Sequence, residues 1–303
     1  MKKSAANQED FEVEIEMVQD VQPETRLDGP VSPIVRSDRL HFDGALRSHV
    51  GAVRQRNEDS CLLYHFDSAG HALLPPFGLY IVADGMGGYE GGDRASKVAA
   101  HTAAHYLLQQ IFLPLHNDQA YPDSLHIEEL MRRSVLSAHE AVCLPGYSGS
   151  GGTTLTIALA LGQQLFVAHV GDSRAYWLVD GDLRALTKDH SLVQRLQDEG
   201  KLTLEEAQNF QYRNILLRAL GQEEDLEVDV YTYELPAQGR LLLCSDGLTG
   251  QVSDVDIRRI MDGDQSPGEV ADRLITAALN AGGIDNISAV VVEFESRENA
   301  SSG

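Results

Sequence analysis

Cysteine is scarce in this 303-residue chain: only Cys61, Cys143 and Cys244 occur. Their number is odd, their spacings are wide and no C-x-x-C is present. A disulfide framework and a structural zinc site are therefore excluded. Basic residues are also few, 24 Lys plus Arg against 46 Asp plus Glu, for a net charge of -22. Nucleic acid and anionic lipid would repel such a chain. Long hydrophobic runs are missing too. The longest nearly apolar stretch, 153–161, falls far short of the roughly 20 residues that span a bilayer. Met1-Lys2-Lys3 leads into Glu9, Asp10, Glu12, Glu14 and Glu16 rather than an apolar core, so no secretory signal is read there. No G-x-S-x-G and no G-x-x-x-x-G-K-[ST] occurs, which removes the sequence support for a serine hydrolase or a P-loop nucleotide site. These absences favour a soluble protein of a reducing compartment, the cytoplasm.

Hydrophobic residues make up 43% of the chain, enough for a core. Disorder of the whole is excluded, and the length suits one large or two ordinary domains. Residues 1–40 differ from the rest and read as an acidic, flexible extension. Within them Phe11, Val13, Ile15 and Met17 alternate with Glu12, Glu14 and Glu16, a strand period that also suits an edge strand or a partner-binding segment. Residues 296–303 form a polar tail. Between the tails, strand-like runs at 78–83, 153–161, 164–170, 175–179, 226–234, 240–244 and 288–294 mix with helical patterns at 95–111, 128–142, 255–261 and 267–280. Gly162-Gln163 and Asp180-Gly181 supply turns, so 153–179 reads as an antiparallel meander. Residues 189–220 are polar and helix-prone. Clustered strands and paired helices indicate an α+β layered domain, not alternating βαβ units.

Carboxylates recur at strand ends. Leu79-Tyr80-Ile81-Val82-Ala83 runs into Asp84-Gly85, and Leu241-Leu242-Leu243-Cys244-Ser245 into Asp246-Gly247. Asp285-Asn286 stands just before the last strand. Strands about 4.8 Å apart bring such carboxylates towards one point. Carboxylates that converge repel unless a cation or protons intervene, and hard divalent ions take oxygen ligands. Each Asp-Gly taken singly is also ordinary turn chemistry. A further polar cluster, Arg54-Gln55-Arg56-Asn57-Glu58-Asp59, ends a β-prone segment at 49–53. Arg54 could offer a planar fork to a phosphate there, and Asp59 could hold metal-bound water.

Taken in order, these motifs resemble the bacterial metal-dependent type 2C (PPM family) protein Ser/Thr phosphatases. The series runs Arg54-x-x-Asn57-Glu58-Asp59, Val82-Ala83-Asp84-Gly85-Met86-Gly87-Gly88, Gly152-Thr153-Thr154-Leu155 and Val170-Gly171-Asp172-Ser173-Arg174-Ala175-Tyr176. It continues with Leu186-Thr187-Lys188-Asp189-His190-Ser191, Arg218-Ala219-Leu220-Gly221, Cys244-Ser245-Asp246-Gly247-Leu248 and Asp285-Asn286-Ile287-Ser288. Eight motifs in family order over about 44–295 are specific where each alone is weak.

The resemblance implies a four-layer α-β-β-α sandwich of two antiparallel sheets flanked by helix pairs. The catalytic domain would be 41–295, with a variable flap at about 189–220. It implies two Mn²⁺ or Mg²⁺ ions in the cleft. Asp84 would bridge both, Asp246 and Asp285 would bind the first, and the Gly85 carbonyl the second. Glu58 and Asp59 would hold metal-bound waters, and Arg54 would grip the phosphate. A metal-bridged hydroxide would attack phosphorus in line, without a phosphoenzyme. In accord with this, no cysteine has an arginine six positions later, the spacing of cysteine phosphatases.

The implied partners are phosphorylated Ser/Thr proteins, including a cognate Ser/Thr kinase, met by a monomer that neither binds nucleic acid nor inserts in a membrane. Two positions depart from the family pattern. Met86 stands where many eukaryotic members carry a histidine, and it has no proton for a leaving group. Residues 144–151 contain no carboxylate, so a third metal keeps Asp246 as its single carried-over ligand. Asp172 reads as fixing a hairpin, Thr153 and Thr154 as hydrogen-bonded packing beneath the site, and His169 and His190 as structural. Cys61 and Cys244 read as buried, and Arg195, Lys201 and Arg213 as a solvated helix face that could also touch substrate. Two other functions stay open: a pseudophosphatase that only binds a phosphoprotein, and a small-phosphoester hydrolase.

Overall fold

The computed structural model describes residues 40–66, 74–87, 91–116, 123–144, 151–203, 206–207, 210–212, 214–222 and 225–296. All of them belong to one unit of the chain, Val31–Gly303. The alternating segment at 11–17, the extension up to residue 39 and the tail beyond 296 lie outside the described residues.

Eleven strands are described: β1 (Leu40–His49), β2 (Asp59–Phe66), β3 (Phe77–Met86), β4 (Gly152–Thr153), β5 (Leu155–Leu161), β6 (Gln164–Val170), β7 (Arg174–Val179), β8 (Asp182–Ala185), β9 (Asp229–Glu234), β10 (Gln238–Cys244) and β11 (Ile287–Ser296). They form two antiparallel sheets. One has the order β1-β11-β10-β7-β8. The other has the order β2-β3-β5-β6-β9, with β4 on β3. The first and last strands pair along their whole length, Leu40 opposite Ser296 and His49 opposite Ile287.

Among the described residues seven α-helices with stated bounds accompany them. Those that build layers are α1 (Gly92–Leu107), which runs through a π turn (Leu108–Phe112) into the short α2 (Leu113–His116), and α3 (Ser124–Cys143). In the second half of the chain follow α4 (Leu192–Asp198), α5 (Asp246–Thr249), α6 (Asp254–Met261) and α7 (Pro267–Asn280). Local chemistry starts them. Asp123 accepts a hydrogen bond from His126 N at the head of α3, and Ser266 with Glu269 makes a capping box ahead of Pro267 in α7.

Three apolar layers result. Leu107, Ile127, Met131 and Val135 pack on the β3/β5/β6 face; Tyr80, Val82, Leu243 and Val290 fill the space between the sheets; Ile257, Leu274 and Val291 join the other sheet to its helices. The fold is thus the α-β-β-α sandwich of the α+β class. β5 is buried at every position because it lies centrally in its sheet with a layer on each face. Its run of apolar residues is the mark of that position.

Several boundaries differ from the sequence reading. The meander breaks at 171–173: β6 belongs to one sheet and β7 to the other, so this corner crosses the sandwich. Residues 50–58 are loop rather than strand, since the Val50 carbonyl is taken by Asn286 Nδ2 at 3.0 Å and Gly51 has φ +83°. A Cβ at Gly51 would lie 2.2 Å from the Asp285 carbonyl oxygen. In 189–220 the described helical residues are α4 and 206–207 alone. The segment is pinned at its ends by single bridges, Ser191 to Leu216 and Thr153 to Leu220. Cys244 is buried, whereas Cys61 is half-buried.

Tyr80 is fully buried between the sheets, and its hydroxyl has no hydrogen-bond partner. Gly78 makes room for it, because a Cβ there would lie 2.2 Å from that oxygen. An unsatisfied buried hydroxyl costs about 1–3 kcal/mol. Tyr80→Phe should therefore raise the midpoint of thermal unfolding by about 2–4 °C. A lower midpoint would show that the hydroxyl has a partner, such as a buried water.

Candidate active site

The acidic residues gather where the two sheets meet at one end of the sandwich. Asp59 opens β2 and lies directly opposite Asp84 of β3 in register. Asp246 follows β10 and opens α5, and Asp285 precedes β11; β10 and β11 are antiparallel neighbours, so both carboxylates stand at the same end. The convergence therefore crosses the sandwich instead of running along one sheet edge. Asp84 and Asp246 come within hydrogen-bonding reach of each other.

The glycines after these aspartates do not make turns. Neither Gly85 nor Gly247 has a positive φ. A Cβ at Gly85 would meet the Gly92 carbonyl at 2.2 Å and the Glu58 carbonyl at 2.5 Å. One at Gly247 would lie 1.9 Å from the Asn286 carbonyl. Both glycines let main chains touch behind the carboxylates.

The framework around the site is hydrogen-bonded throughout. Asp84 N donates to Thr154 Oγ1 at 2.9 Å, and the Asp84 carbonyl accepts from Thr153 Oγ1 and Thr154 N, each at 2.9 Å. The two threonines hold the site from beneath, as the sequence suggested. Asn286 clamps the 50–58 loop: its Nδ2 donates to the Val50 and Arg56 carbonyls, and its Oδ1 accepts from Glu58 N at 2.8 Å. Arg54 Nη2 pairs with Asp285 Oδ2 at 2.8 Å, the guanidinium half exposed at the rim.

Electrostatics oppose full ionisation. Loss of solvation, then the charges of Asp59, Asp246 and Asp172, push the Asp84 carboxyl well above the usual carboxylate range. Burial pushes Asp59 up to about 6, against the neighbouring hydroxyls of Ser288 and Ser245, the latter bonded to it at 2.8 Å. Asp246 is raised by burial and by Asp285, and Glu58 by burial against the pull of Arg54. All seven residues singled out from the sequence, Arg54, Glu58, Asp59, Asp84, Gly85, Asp246 and Asp285, belong to this one locality.

Asp172 belongs there too, contrary to the hairpin assignment. Burial and then the charges of Asp246 and Asp189 raise its carboxyl. The sheet-crossing corner that carries it explains the difference: Gly171 has φ +115° with Thr154 directly behind it, and Ser173 Oγ bonds Thr154 Oγ1 at 2.8 Å. Asp189 is held off by a bidentate pair with Arg174, both contacts 2.7 Å. Met86 Sδ accepts from Gln222 Nε2 at 3.6 Å.

A family model described as Protein phosphatase 2C matches residues 47–266. The serine/threonine phosphatase stp of Listeria welshimeri is 38% identical over 247 residues, 82% of this chain and 94% of that protein. A crystal structure of the Mycobacterium tuberculosis serine/threonine phosphatase PstP/Ppp superposes with a TM-score of 0.69 at 37% identity, over 84% of this chain and 99% of that one. The catalytic domain of PstP in complex with two manganese ions gives 0.68 at 37% identity, over the same shares. The chain belongs to the protein phosphatase 2C family. It is an enzyme of that family, a metal-dependent serine/threonine phosphatase.

The phosphatase's own residues fit a divalent cation. Asp59 Oδ1 is buried without a hydrogen-bond partner, and its neighbours are further carboxylates. Among the described residues no three acidic, histidine or cysteine side chains already form a closed ligand set. Main-chain oxygen and water would complete the shell, as magnesium-like ions prefer.

The histidines sit in a separate network. His169 Nδ1 meets Thr156 Oγ1 at 3.0 Å and its Nε2 the Lys188 carbonyl at 3.1 Å. His190 Nδ1 accepts from Gly171 N, and its Nε2 faces Asp229 at 3.3 Å. Both rings are hydrogen-bonded within the fold at each ring nitrogen. Arg195 and Lys201 both pair with Glu199, consistent with a solvated face; Arg213 lies outside the described residues. Burial, then the neighbouring His190, lowers the His169 pKa to about 3. Folded protein thus keeps the ring neutral while the unfolded chain takes a proton below about 6.5. Stability is lost as the pH falls from about 6.5 towards 3. Relative to His169→Gln, the phosphatase should lose about 1.5 kcal/mol of unfolding free energy between pH 6.5 and 5. Parallel pH curves from denaturant melts of the two proteins would refute a buried neutral histidine.

Proposed function

We propose that the chain hydrolyses phosphoserine and phosphothreonine esters of proteins at this carboxylate-lined end of the sandwich, with two Mn²⁺ or Mg²⁺ ions held there. The observation that carries the proposal is the crowding of Asp59, Asp84, Asp172 and Asp246, whose charges oppose one another with one buried oxygen left bare. In this reading Asp84 would serve both ions, Asp246 and Asp285 would hold one, and the Gly85 carbonyl the other. Glu58 and Asp59 would hold water in their shells. When bound, the cations lower the pKa of water and offset the charge of the phosphoryl oxygens. Arg54 lies at the rim, where a planar fork matches two phosphate oxygens. Its pairing with Asp285 holds it at the rim. Met86 offers no proton to the leaving group.

The catalytic domain in this proposal is 41–295, bordered by the 1–40 extension and the 296–303 tail, with the flap at 189–220. The enzyme works as a monomer in the cytoplasm on phosphorylated proteins, a cognate Ser/Thr kinase among them. Among the described residues no helix is long and apolar enough to cross a membrane.

The decisive assay is hydrolysis of a phosphothreonine peptide with Mn²⁺, with EDTA, and by Asp246→Asn. Turnover should require Mn²⁺ and fall by about a hundredfold or more in the variant, as loss of several kcal/mol of metal-centred stabilisation implies. Folded protein that turns over neither the peptide nor p-nitrophenyl phosphate at saturating Mn²⁺ would overturn the proposal in favour of phosphoprotein binding alone. Turnover of the small ester with no turnover of the peptide would move the substrate class.

A further inference from the structure

Asp59 is held from one side only. Its Oδ2 accepts from Ser245 Oγ at 2.8 Å, while Oδ1 is buried without a partner. Ser245 is fully buried, and its hydroxyl also accepts from Ser288 N at 3.0 Å. An amide N–H can only donate, so the serine proton is committed to Asp59. Main-chain pairing fixes the same residue again, since Ser245 N donates to the Ser288 carbonyl at 3.2 Å. Ser245 therefore has no second orientation open to it.

A second hydroxyl supports the first. Asn57 Nδ2 donates to Ser48 Oγ at 2.7 Å, and Ser48 Oγ lies 2.9 Å from Ser288 Oγ. With its own oxygen accepting from Asn57, Ser48 is free to donate to Ser288. Ser288 N in turn donates to Ser245 Oγ, which bonds Asp59. Serines from β1, from β11 and from the N-cap of α5 thus form one linked series that ends on a carboxyl of the opposite sheet.

We infer that Ser245 is a positioning residue that holds Asp59 by Oδ2 and so leaves Oδ1 as the oxygen available in the site. The inference rests on the proposed role of Asp59 in holding water near the cations. Ser245 also directly precedes Asp246, so a single residue sets one carboxylate from each sheet. Partners that orient ligating groups typically change metal affinity by about 10- to 100-fold when removed.

The test uses metal-free full-length protein titrated with Mn²⁺, read by electron paramagnetic resonance of the free ion, beside phosphopeptide kinetics over a Mn²⁺ series. Ser245→Ala should weaken Mn²⁺ binding about tenfold and raise the Mn²⁺ needed for half-maximal turnover. Ser245→Thr, which keeps the hydroxyl, should recover much of the loss. The double variant S245A/D59N should bind Mn²⁺ no more weakly than Asp59→Asn alone, since Ser245 acts through that carboxyl. Native Mn²⁺ affinity in Ser245→Ala, or additive losses in the double variant, would overturn the inference. Wild-type affinity and turnover in Asp59→Asn would instead remove the role of Asp59 itself. Should Ser245→Ala not fold, Ser245→Cys keeps the volume and weakens the donor: weakened Mn²⁺ binding sustains the inference, and native affinity ends it.

Discussion

Repulsion among carboxylates at the meeting of two sheets is the constraint around which this protein is built. Two like charges about 4 Å apart repel by about 4 kcal/mol at an effective dielectric of 20. A domain has only about 5–15 kcal/mol of net stability. Several such pairs, ionised together with nothing between them, would rival the whole margin. Asp59, Asp84, Asp172 and Asp246 are nevertheless pressed together, and two sheets with three apolar layers hold them there. The rigidity of that scaffold keeps the carboxylates from splaying apart, and a divalent cation turns the same geometry from a liability into a binding site.

The scaffold disposes of charge selectively. Asp189 has Arg174 in a bidentate pair, and Asp285 has Arg54. Asp229 has Arg218, His190 and Tyr231, whose hydrogen bonds outweigh burial and hold its carboxyl below the usual range. The carboxylates without an arginine are the ones that burial and mutual repulsion push upward. Close main-chain contact does the rest. Gly85 and Gly247 have no room for a side chain because the backbones of 58, 92 and 286 press on them, which leaves each aspartate fixed by the chain behind it.

Much of this was legible in the sequence, for physical reasons. Apolar runs ending in Asp-Gly gave the strand ends and the carboxylates on them, and eight ordered motifs gave the sandwich. Other features depend on which strand pairs with which, and pattern does not carry that. Strands β6 and β7 look like consecutive arms of a meander, yet three residues pass the chain from one sheet to the other. That crossing brings Asp172 up to the other carboxylates, which a turn-like Gly-Asp-Ser does not signal. Ser245 and Asn286 were quoted within motifs without a role, since a hydroxyl or an amide signals nothing until its partners are known. Those partners lie 186 and 228 residues away. The β propensity of 49–53 lost to a tertiary clamp, as Asn286 takes the carbonyl that a ladder would need.

Charge sign constrains what this site can take up. The chain carries a net charge of -22, and Asp59, Asp84, Asp172 and Asp246 concentrate part of it at one end of the sandwich. A phosphoester brings further negative charge. Arg54 is half exposed at the rim and shared with Asp285, whereas Arg174 is committed to Asp189. Neither can reverse the sign of the site. Divalent cations can do so, and under the proposed ligand set they would draw on Asp285 and leave the Arg54 guanidinium freer to meet phosphate. A site of this sign favours a cation over an anionic ester, and the Arg54–Asp285 ion pair at its rim joins the group proposed for each.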